Sequence, residues 1–415
     1  MPINTSWKIE IGTLNPAPID FTSRTLGVSI DQRVDVNVVG RGQATITLLN
    51  KDGALTPGGG GTYSSTDWFS NFVRITALTN TGGANDSTLV FCGLVDDFQL
   101  ADDGVFSTVT FTAIDGLSVA GKTANVTIPG TLARYQDRVD SLAISNDLPV
   151  LGASVAAFIP TYEGPNVDVA SASSITATTY ADAWQTNLIP SVNDVFWGTY
   201  IGLSFGVIAE YGAVSTGPYT TRRLDRRHTF EFDPPASLSG SKLPFDENGF
   251  EQAFNHDELI TKAQVQGTYA GATAVTVNAS SLSKYGTRTS SFTQTMAVDA
   301  NAVTELAQRL ANRYSTARFT PYQLRVSASQ IKAFAADAAH SKWKALLAIE
   351  SGIWQHTKMT WQGSGSNTQT AEGVIKGRKI DITPSDSTIT LTLGNWVDNH
   401  GFILDTDTLD NYRLG

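Results

Sequence analysis

The sequence LVFCGLVDDFQLADDGVFSTVTFTA, residues 89–113, sets the fold class of this chain. Apolar and polar residues alternate on both sides of the segment Ala101-Asp-Asp-Gly104. Such alternation predicts half-buried strands, and an Asp-Gly turn between two of them predicts a β-hairpin. We therefore expect residues 21–120 to form an antiparallel β-domain. Shorter upstream runs with the same alternation predict further strands, at residues 24–30, 34–39, 44–49 and 72–77.

A second hairpin is predicted near the end of the chain. Its strands are residues 374–382 and 387–393, and its turn is Pro384-Ser-Asp386. The return strand, Thr388-Ile-Thr-Leu-Thr392, has the same pattern as Thr108-Val-Thr-Phe-Thr112 in the first hairpin. Because alternating Thr-rich strands are common, two explanations stay open: chance similarity, or two copies of one β-domain in the chain.

The segment 246–396 is predicted to form a second β-domain around one helix. Asp299 is well placed to cap a helix over residues 299–314. Strands are expected before and after this helix, at residues 263–267, 274–277 and 324–327. One face of the helix carries an apolar stripe that should be buried, formed by Val303, Leu306, Ala307, Leu310 and Tyr314.

The N-terminal 20 residues differ from the β-rich segment that follows. They are polar and contain three prolines, Pro2, Pro16 and Pro18. Such a segment has little core of its own, so we expect residues 1–20 to form an extended arm. We expect this arm to pack on a neighbouring subunit or domain.

The middle and the end of the chain have mixed patterns. Residues 121–245 are expected to form a mixed α+β domain with short helices near 132–142 and 180–188. Residues 397–415 are expected to form a C-terminal tail. The fold class predicted for the whole chain is mainly β with a few helices, a β-rich α+β protein.

Composition excludes several classes of function. The chain has 415 residues and a net charge of −10, so it lacks the basic field that nucleic-acid binding requires. With a single cysteine it has no intrachain disulfide. The sequence MPINTSWKIEIGTLNP at its start has no apolar h-region, and no window is long and apolar enough to span a bilayer. We therefore expect synthesis and folding in a cytoplasm.

The residues that most often carry chemistry are scattered. The histidines have no partner at metal-ligand spacing, and the cysteine lies in an apolar strand, which is typical of an inert buried thiol. The acidic pairs at 96–97 and 102–103 precede and occupy a hairpin turn. Solvated carboxylates are far more common there than a glycosidase dyad. The histidines and the cysteine are His228, His256, His340, His356, His400 and Cys92.

Other candidate motifs match only in part. Gly202-Leu-Ser-Phe-Gly206 has the letters of a nucleophile elbow, but the chain around it lacks the strand–turn–helix order that an elbow needs. The glycine run 58–61 lacks the Gly-Lys-Ser/Thr of a phosphate loop, and the aspartates of 405–410 do not fit a calcium loop. The basic cluster 222–228 is expected to pair with the acidic surplus, with a phosphate-facing patch as the alternative. We therefore predict no catalytic residue, cofactor or metal site.

Two segments of the first β-domain match a pattern known from one protein family. The segment 42–57 contains a strand, then Asn-Lys-Asp-Gly and a proline, and leads into the aromatic stretch 68–75. The second segment is Val90-Phe-Cys-Gly-Leu-Val95, followed by Asp115-Gly-Leu117 at the end of the domain.

Two later segments continue the pattern. The stretch 255–265 precedes Tyr285-Gly-Thr-Arg288 and the helix that begins at Asp299. The chain closes with a Phe-x-Leu segment and a terminal Leu-Gly, within residues 401–415. In this order, the segments resemble the tail hub, or minor tail, proteins of long-tailed bacteriophages, which are baseplate-hub-like proteins of the tail tip. The region 121–245 matches the family least.

The resemblance implies a structural virion protein without enzyme activity. It implies two tube-type antiparallel β-barrel or sandwich domains per subunit and a homotrimer that forms a pseudo-sixfold ring. The implied neighbours are the hexameric tail tube or distal tail protein ring, the tape measure protein, and threefold tip or fibre proteins. DNA would pass the lumen without specific binding, since three subunits of −10 give −30. The implied location is the virion tail tip, after assembly in the host cytoplasm and without a membrane span.

Two other functions remain open from the sequence. A receptor- or carbohydrate-binding tail tip protein would present exposed tryptophans on a flat β-surface, with Trp68, Trp197 and Trp361 as candidates. A cell-wall hydrolase would need two carboxylates that converge in a cleft, one of them with a raised pKa.

Overall fold

The computed structural model describes most of both predicted β-regions and short parts of the middle of the chain. The described residues are 3–13, 18–33, 42–69, 71–80, 85–102, 107–115, 124–128, 160–163, 175–179, 197–200, 219–223, 229–255, 259–268, 271–294, 299–315, 318–348, 355–362 and 367–395.

Within these residues the chain has 22 strands and four α-helices. The N-terminal strands are β1 (Asn4–Gly12), β2 (Ile19–Asp20), β3 (Thr25–Arg33), β4 (Gly42–Leu49), β5 (Phe72–Asn80), β6 (Asn85–Asp102) and β7 (Ser107–Ile114). Five short strands follow: β8 (Ala124–Ile128), β9 (Pro160–Glu163), β10 (Ile175–Thr179), β11 (Trp197–Tyr200) and β12 (Tyr219–Arg223).

The C-terminal part contains the remaining strands and the α-helices. The strands are β13 (Thr229–Asp233), β14 (Leu243–Pro244), β15 (Glu251–Asn255), β16 (Lys262–Gly267), β17 (Val275–Asn278), β18 (Thr289–Gln294), β19 (Arg318–Ser327), β20 (His356–Gln362), β21 (Thr368–Ile382) and β22 (Ser387–Asn395). The helices are α1 (Leu282–Tyr285), α2 (Ala300–Arg313), α3 (Ala328–Phe334) and α4 (His340–Leu347).

One large sheet of 14 strands organises the fold. Its principal order is β14-β13-β20-β21-β3-β4-β7-β6-β5-β1-β2, and β22, β19 and β15 continue from β21. β13 runs parallel to β14 and β20, whereas the other pairs in this sheet are antiparallel. The N-terminal and C-terminal strands meet where residues 28–33 of β3 pair with residues 377–382 of β21.

The main core is shared between strands from both ends of the chain. In β4, for example, Ala44, Ile46 and Leu48 are buried and alternate with partly exposed residues. They belong to one apolar cluster with Leu324 of β19 and Trp343 of α4. Burial of alternate side chains on one face is the physical reason that these sequences form strands of a single sheet.

Three smaller sheets lie outside the main one. Their strand orders are β10-β8, β11-β12-β9 and β17-β16-β18. Helix α2 packs on β16 and β17 through a second apolar cluster. The Asp299 carboxylate accepts a hydrogen bond from the Asn301 backbone N–H (2.9 Å), as an N-cap residue does. Residues Val303, Leu306, Ala307, Leu310 and Tyr314 are all buried, so the predicted helix and its apolar stripe are confirmed.

The predicted β-rich α+β class and both predicted hairpins are confirmed. The hairpins are β6–β7 and β21–β22. The predicted turn of the second is closed by a hydrogen bond from the Thr383 backbone N–H to the Asp386 carbonyl oxygen (2.9 Å). The predicted strand at 34–39 and the predicted helices near 132–142 and 180–188 lie outside the described residues.

The start of the chain differs from the predicted arm. Residues 4–12 are strand β1, which pairs along its length with β5, and Ile3, Ile9 and Ile11 are buried in the main core. This segment therefore packs on its own chain. Its alternating Ile9-Glu-Ile11 pattern carries the signal of a strand, which the nearby prolines obscured.

Two further segments differ from expectation in the second β-region. Strand β13 lies upstream of residue 246, inside the segment predicted as the middle domain, yet Phe230 and Phe232 belong to the main core. The region 246–396 also contains α1, α3 and α4 in addition to the single helix predicted. A capping box formed by Ser327 and Gln330 begins α3, and this pattern is legible in the sequence.

Candidate assembly edges

The candidate catalytic residues do not converge in the described part of the chain. Cys92 is fully buried in β6. Asp97, from the first acidic pair, accepts hydrogen bonds from the Phe98 backbone N–H (2.8 Å) and from the Gln99 side chain (2.8 Å). No group of three or more His, Cys, Asp or Glu side chains suited to a metal ion occurs among the described residues.

His228, His256, His400, Asp103 and the motif 202–206 lie outside the described residues, as do the aspartates of 405–410. Of the basic cluster 222–228, only the backbone of residues 222–223, at the end of β12, is described.

The glycine-rich loop packs against the sheet. The Gly58 backbone N–H donates to the Ser64 carbonyl oxygen (3.2 Å), and the Tyr63 backbone N–H donates to that of Ala54 (2.9 Å). The Tyr63 ring contacts Phe21 edge-on, with ring centroids 5.6 Å apart. The loop thus closes over an aromatic cluster.

Two of the three tryptophans considered for a carbohydrate-binding surface are described, and both are buried. Trp68 is 4% exposed and Trp361 is 8% exposed. Trp68 packs edge-on against Phe111, with ring centroids 5.2 Å apart. The side chain of Trp197 lies outside the described part. Buried rings do not form the flat aromatic surface that a glycan would stack on.

The pairing pattern of the N-terminal strands occurs a second time. We call β1 and β3–β7 the first half, and β13, β15 and β19–β22 the second half. In the first half, β6 pairs at its start with β5 and at its end with β7, which is followed by β4 and β3. In the second half, β21 pairs at its start with β20 and at its end with β22, which is followed by β19 and β15.

A bulge fixes which residues of the two halves correspond. The pairing of β6 with β7 skips Asp96, and the pairing of β21 with β22 skips Lys376. Counting from these bulges aligns the sequences STVTFT (107–112) and STITLT (387–392) without a gap. The sequence similarity therefore coincides with equivalent positions in the sheet, and this favours duplication over chance.

The two halves are joined by an edge contact, which we call the seam. It consists of residues 28–33 of β3 against residues 377–382 of β21. Ile30 and Ile380 lie opposite each other and are both fully buried. Beside them the Ser29 hydroxyl donates a hydrogen bond to Asp381 Oδ1 (2.7 Å). β3 and β20 pair with the same edge of β21, β20 near the start of the strand and β3 near its end. β22 pairs with the opposite edge of β21.

A buried arginine holds a helix against this seam. Arg378 is 1% exposed, and its Nη1 donates to the carbonyl oxygens of Leu346 (2.7 Å), Leu347 (2.9 Å) and Ala348 (3.0 Å). Its Nε and Nη2 donate to Gln32 Oε1 of β3 (3.2 and 2.5 Å). The three carbonyls lie at the C-terminal end of α4, where the helix dipole favours a positive charge. Arg378 therefore links α4 to both strands of the seam.

Helix α4 also contacts the first half directly. Trp343 Nε1 donates to the Thr5 hydroxyl oxygen (3.0 Å). The Asp86 carboxylate lies 3.2 Å from His340 Nε2 and 3.1 Å from Lys344 Nζ. Hydrogen bonds from His340 and Lys344 hold the pKa of Asp86 below its ordinary value. These polar contacts orient α4 across the junction of the halves.

Two strand edges have no strand neighbour in the described part of the chain. One is formed by residues 97–102 of β6, on the side of the strand opposite β7. β5 pairs with this side further upstream, and its pairing ends at Leu94. The other is the edge of β15 opposite β19. We call them the β6 edge and the β15 edge. The β6 edge is equivalent to the edge of β21 that pairs in the seam, and the β15 edge is equivalent to the edge of β3 that pairs there. The two edges are therefore candidates for contact with another chain.

Comparison with known proteins identifies the class of fold. No protein-family model matches the chain, and a comparison with curated proteins found no match. Among solved structures, the tail protein from Neisseria meningitidis MC58 superposes with a TM-score of 0.57 at 9% identity, covering 94% of this chain and 96% of that chain. The 43 kDa tail protein of prophage MuSo2 from Shewanella oneidensis superposes with a TM-score of 0.51 at 8% identity, covering 93% and 98%.

The chain therefore has the fold of these two tail proteins over nearly its whole length. This agrees with the resemblance to phage tail tip proteins that the sequence motifs carry. At 9% and 8% identity the likeness concerns the fold. In the described part of the chain, no helix is both long and apolar enough to cross a membrane.

Proposed function

We propose that this chain is a non-enzymatic structural subunit of a phage-type tail. It forms a trimeric hub at the distal end of the tail, joins the hexameric tail tube to threefold tip components, and lines the channel through which DNA leaves. The observation that supports this most is the repeated strand arrangement within one chain that shares its fold with two tail proteins. Three chains with two equivalent halves each supply six similar units, which match a sixfold tube.

The charge of the chain supports a passive channel. A subunit of net charge −10 repels a polyanion, so DNA can move past without adhering. The proposed role is therefore mechanical, and the division into two tube-type domains belongs to the same proposal.

Electron microscopy of the assembled particle tests this function. Tail particles from cells that carry this sequence would be labelled with an antibody against the chain. Label at one end of the tail, together with three copies per particle by quantitative mass spectrometry, is the expected result. Label along the whole tail, or six copies, would contradict the trimeric hub.

A cell-wall zymogram separates this role from the hydrolase alternative. The purified chain should produce no cleared band on bacterial cell wall. A cleared band that disappears when a single carboxylate is replaced by its amide would contradict a purely structural role.

A further inference from the structure

We propose that the outer face of the small β17-β16-β18 sheet binds a polysaccharide that carries phosphodiester groups. This sheet and the helices α1 and α2 form a module, residues 259–315, between β15 and β19. The equivalent strands of the first half, β3 and β4, are joined by residues 34–41 alone. The module is therefore an addition to the strand framework that the halves share, and a binding role for it goes beyond the proposed hub.

Helix α2 covers one face of this sheet and leaves the other face open. Ala263 and Val265 of β16 are fully buried in the apolar cluster under α2, and Val277 and Phe292 pack against the same cluster. Successive side chains of a strand point to opposite faces, so the intervening residues form the outer face. These eight residues are Lys262, Gln264, Gln266, Thr276, Asn278, Thr289, Ser291 and Thr293.

The outer face consists almost entirely of uncharged hydrogen-bonding groups. Seven of its eight side chains are amides or hydroxyls, and none is aromatic or acidic. A polar ligand can cover amides and hydroxyls at little cost, because they exchange bonds to water for bonds to the ligand, whereas an unpaired charge is expensive to cover. Sugar hydroxyls suit such a face, since a hydroxyl both donates and accepts.

Strand pairing arranges these groups as a flat grid. Lys262 lies opposite Asn278 on one side and Thr289 on the other. Gln264 lies in the same way between Thr276 and Ser291. Neighbouring strands are about 4.8 Å apart, and alternate residues along a strand are about 6.7 Å apart. The grid can therefore bond to several consecutive sugar units.

Three cations lie at one end of this grid. Lys262 is the first residue of β16, and Arg288 comes directly before its partner Thr289. The Arg288 carbonyl oxygen accepts hydrogen bonds from the backbone N–H groups of Thr261 and Lys262 (both 3.1 Å). Lys284 lies in α1, in the same connection between β17 and β18, and both Lys284 and Arg288 are exposed. Phosphate is the group that such cations bind best.

The carboxylates of the module do not neutralise these cations. None of the three cations forms an ion pair within the described part of the chain. The acidic residues of the module, Asp299 and Glu305, belong to α2 and its cap, on the other face of the sheet. The cations lie near the end of α2, where the Ile260 backbone N–H donates to the Tyr314 carbonyl oxygen (2.9 Å). Asp299 is one helix length away, about 21 Å.

A nucleic acid fits this surface less well than a polysaccharide. Single strands are bound by aromatic side chains on which bases stack, and the outer face has none. Duplex DNA is bound by neutralising many closely spaced phosphates, which three cations do not do. A sugar polymer with phosphodiesters at intervals matches both the grid and the cations at its end.

Binding to a defined polymer tests the proposal. The full-length chain would be applied to immobilised polyribosylribitol phosphate, a phosphodiester-linked sugar polymer, and binding would be followed by biolayer interferometry. We expect saturable binding that is at least about tenfold weaker when the salt is raised from about 0.05 to about 0.3 M, because salt screens exposed charges. Dextran, a neutral sugar polymer, should not bind. Absence of binding to the phosphodiester polymer at low salt would overturn the proposal.

A carboxylate in the middle of the grid tests the face. Gln264→Glu should weaken binding at least about tenfold, because it repels phosphate. It should leave the melting temperature unchanged, because Glu can still accept the hydrogen bond from the Ser291 hydroxyl (3.4 Å). Gln308→Glu is the matched control, since it makes the same change at an exposed position of α2, and it should bind as the wild type does. Equal losses in the two variants would contradict the assignment to the outer face.

Removal of the cations tests the end of the grid. The double variant Lys262→Gln with Arg288→Gln should bind at least about tenfold more weakly and lose most of its salt dependence. Lys51→Gln with Lys332→Gln removes the same charge from exposed positions elsewhere and should leave binding unchanged. If both double variants lose affinity equally, net charge rather than this site controls binding, and the proposal is wrong.

Two other polyanions identify what the surface recognises. Hyaluronan has sugar hydroxyls and carboxylates without phosphate, and a DNA duplex has phosphates with few free hydroxyls. Each should bind at least about tenfold more weakly than polyribosylribitol phosphate. Equal binding of the duplex would reassign the surface to nucleic acid, and equal binding of hyaluronan would remove the role of phosphate; either result overturns the proposal. The hub is tested separately by particle labelling and does not depend on these results.

Discussion

The two halves of the molecule share one strand framework but differ in what is packed on it. In the first half, the chain between β4 and β5 forms the glycine-rich loop over an aromatic cluster that includes Tyr63 and Trp68. In the second half, the corresponding connection between β19 and β20 forms α3 and α4, with Trp343 in the core. The strand pattern is therefore the same in both halves, whereas the connections contribute different side chains to the shared core.

The contrast is sharpest at one pair of equivalent positions. Counting from the bulges, Phe98 of β6 corresponds to Arg378 of β21. Phe98 packs edge-on against Phe111, with ring centroids 5.1 Å apart. Arg378 is buried among carbonyl and amide oxygens. At the β6 edge this position makes an apolar contact, whereas at the seam the equivalent position holds a hydrogen-bonded cation.

The largest effect is expected from removing the buried cation. Arg378→Met should lower the free energy of unfolding by about 3–5 kcal/mol, because it leaves the carbonyls at the end of α4 and the Gln32 side chain without their donor. Phe98→Met is the matched change and should cost less, about 1 kcal/mol. Urea unfolding followed by tryptophan fluorescence measures both. A cost at 378 no larger than the cost at 98 would contradict the structural role assigned to the buried arginine.

The next largest effect is expected at a pair of equivalent apolar residues, one at the seam and one at the β6 edge. Ile380→Ala should destabilise the chain by about 2–4 kcal/mol, because it removes buried methyl groups and leaves a cavity. Leu100→Ala should change the stability of the monomer by less than about 0.5 kcal/mol, since that side chain is already exposed. Thermal unfolding at a concentration where the chain is monomeric provides the measurement. Equal losses would mean that Leu100 is buried in the monomer.

A smaller effect is expected where each connection leaves the sheet. Asn50 is fully buried, accepts a hydrogen bond from the Leu55 backbone N–H (2.8 Å) and donates one to the Thr56 hydroxyl (2.9 Å). Asn50→Ala should therefore cost about 2 kcal/mol. Ser327→Ala removes half of the capping box of α3 and should cost about 1 kcal/mol. Ser327→Asp, which can still cap, is the control that should retain stability in the same unfolding assay.

The smallest effect concerns the ion pair between the halves. The pKa of Asp86 is lowered from 3.8 by His340 and Lys344, so its carboxylate stabilises the fold above about pH 4, and this contribution is lost as the pH falls further. Because the side chain is 45% exposed, solvent screens the pair, and Asp86→Asn should cost no more than about 1 kcal/mol at pH 7. The difference in melting temperature between wild type and variant should shrink as the pH is lowered through this range. A difference that grows at low pH would contradict the assigned sign.

Much of the local structure was predictable from the sequence because it depends on short-range patterns. The stripe on α2 and the alternation in β7, β21 and β22 each occur within one element, and the structure buries the apolar side chains that these patterns select. The N-cap role of Asp299 was predictable for the same reason. Helix α3 was missed although its capping box was present, because seven residues are too few for a clear period.

Other features could not be predicted from any local pattern. Arginine is almost never fully buried, so nothing in the sequence around Arg378 marks it as a core residue. Its acceptors come from Gln32 and from residues 346–348, which lie far from each other in the chain. The candidate edges likewise depend on which strands are already paired, and that is a property of the completed sheet.

The sequence by itself therefore determined the strands of the two hairpins, the alternation of apolar and polar residues along them, and the similarity between the two hairpins. Only the tertiary structure decided that β3 pairs with β21 and that α4 is held at this junction by Arg378. The physical reason is that alternation specifies the face of a strand but not its neighbour. The neighbour is selected by packing and hydrogen bonding among segments hundreds of residues apart, and those contacts exist only once the chain has folded.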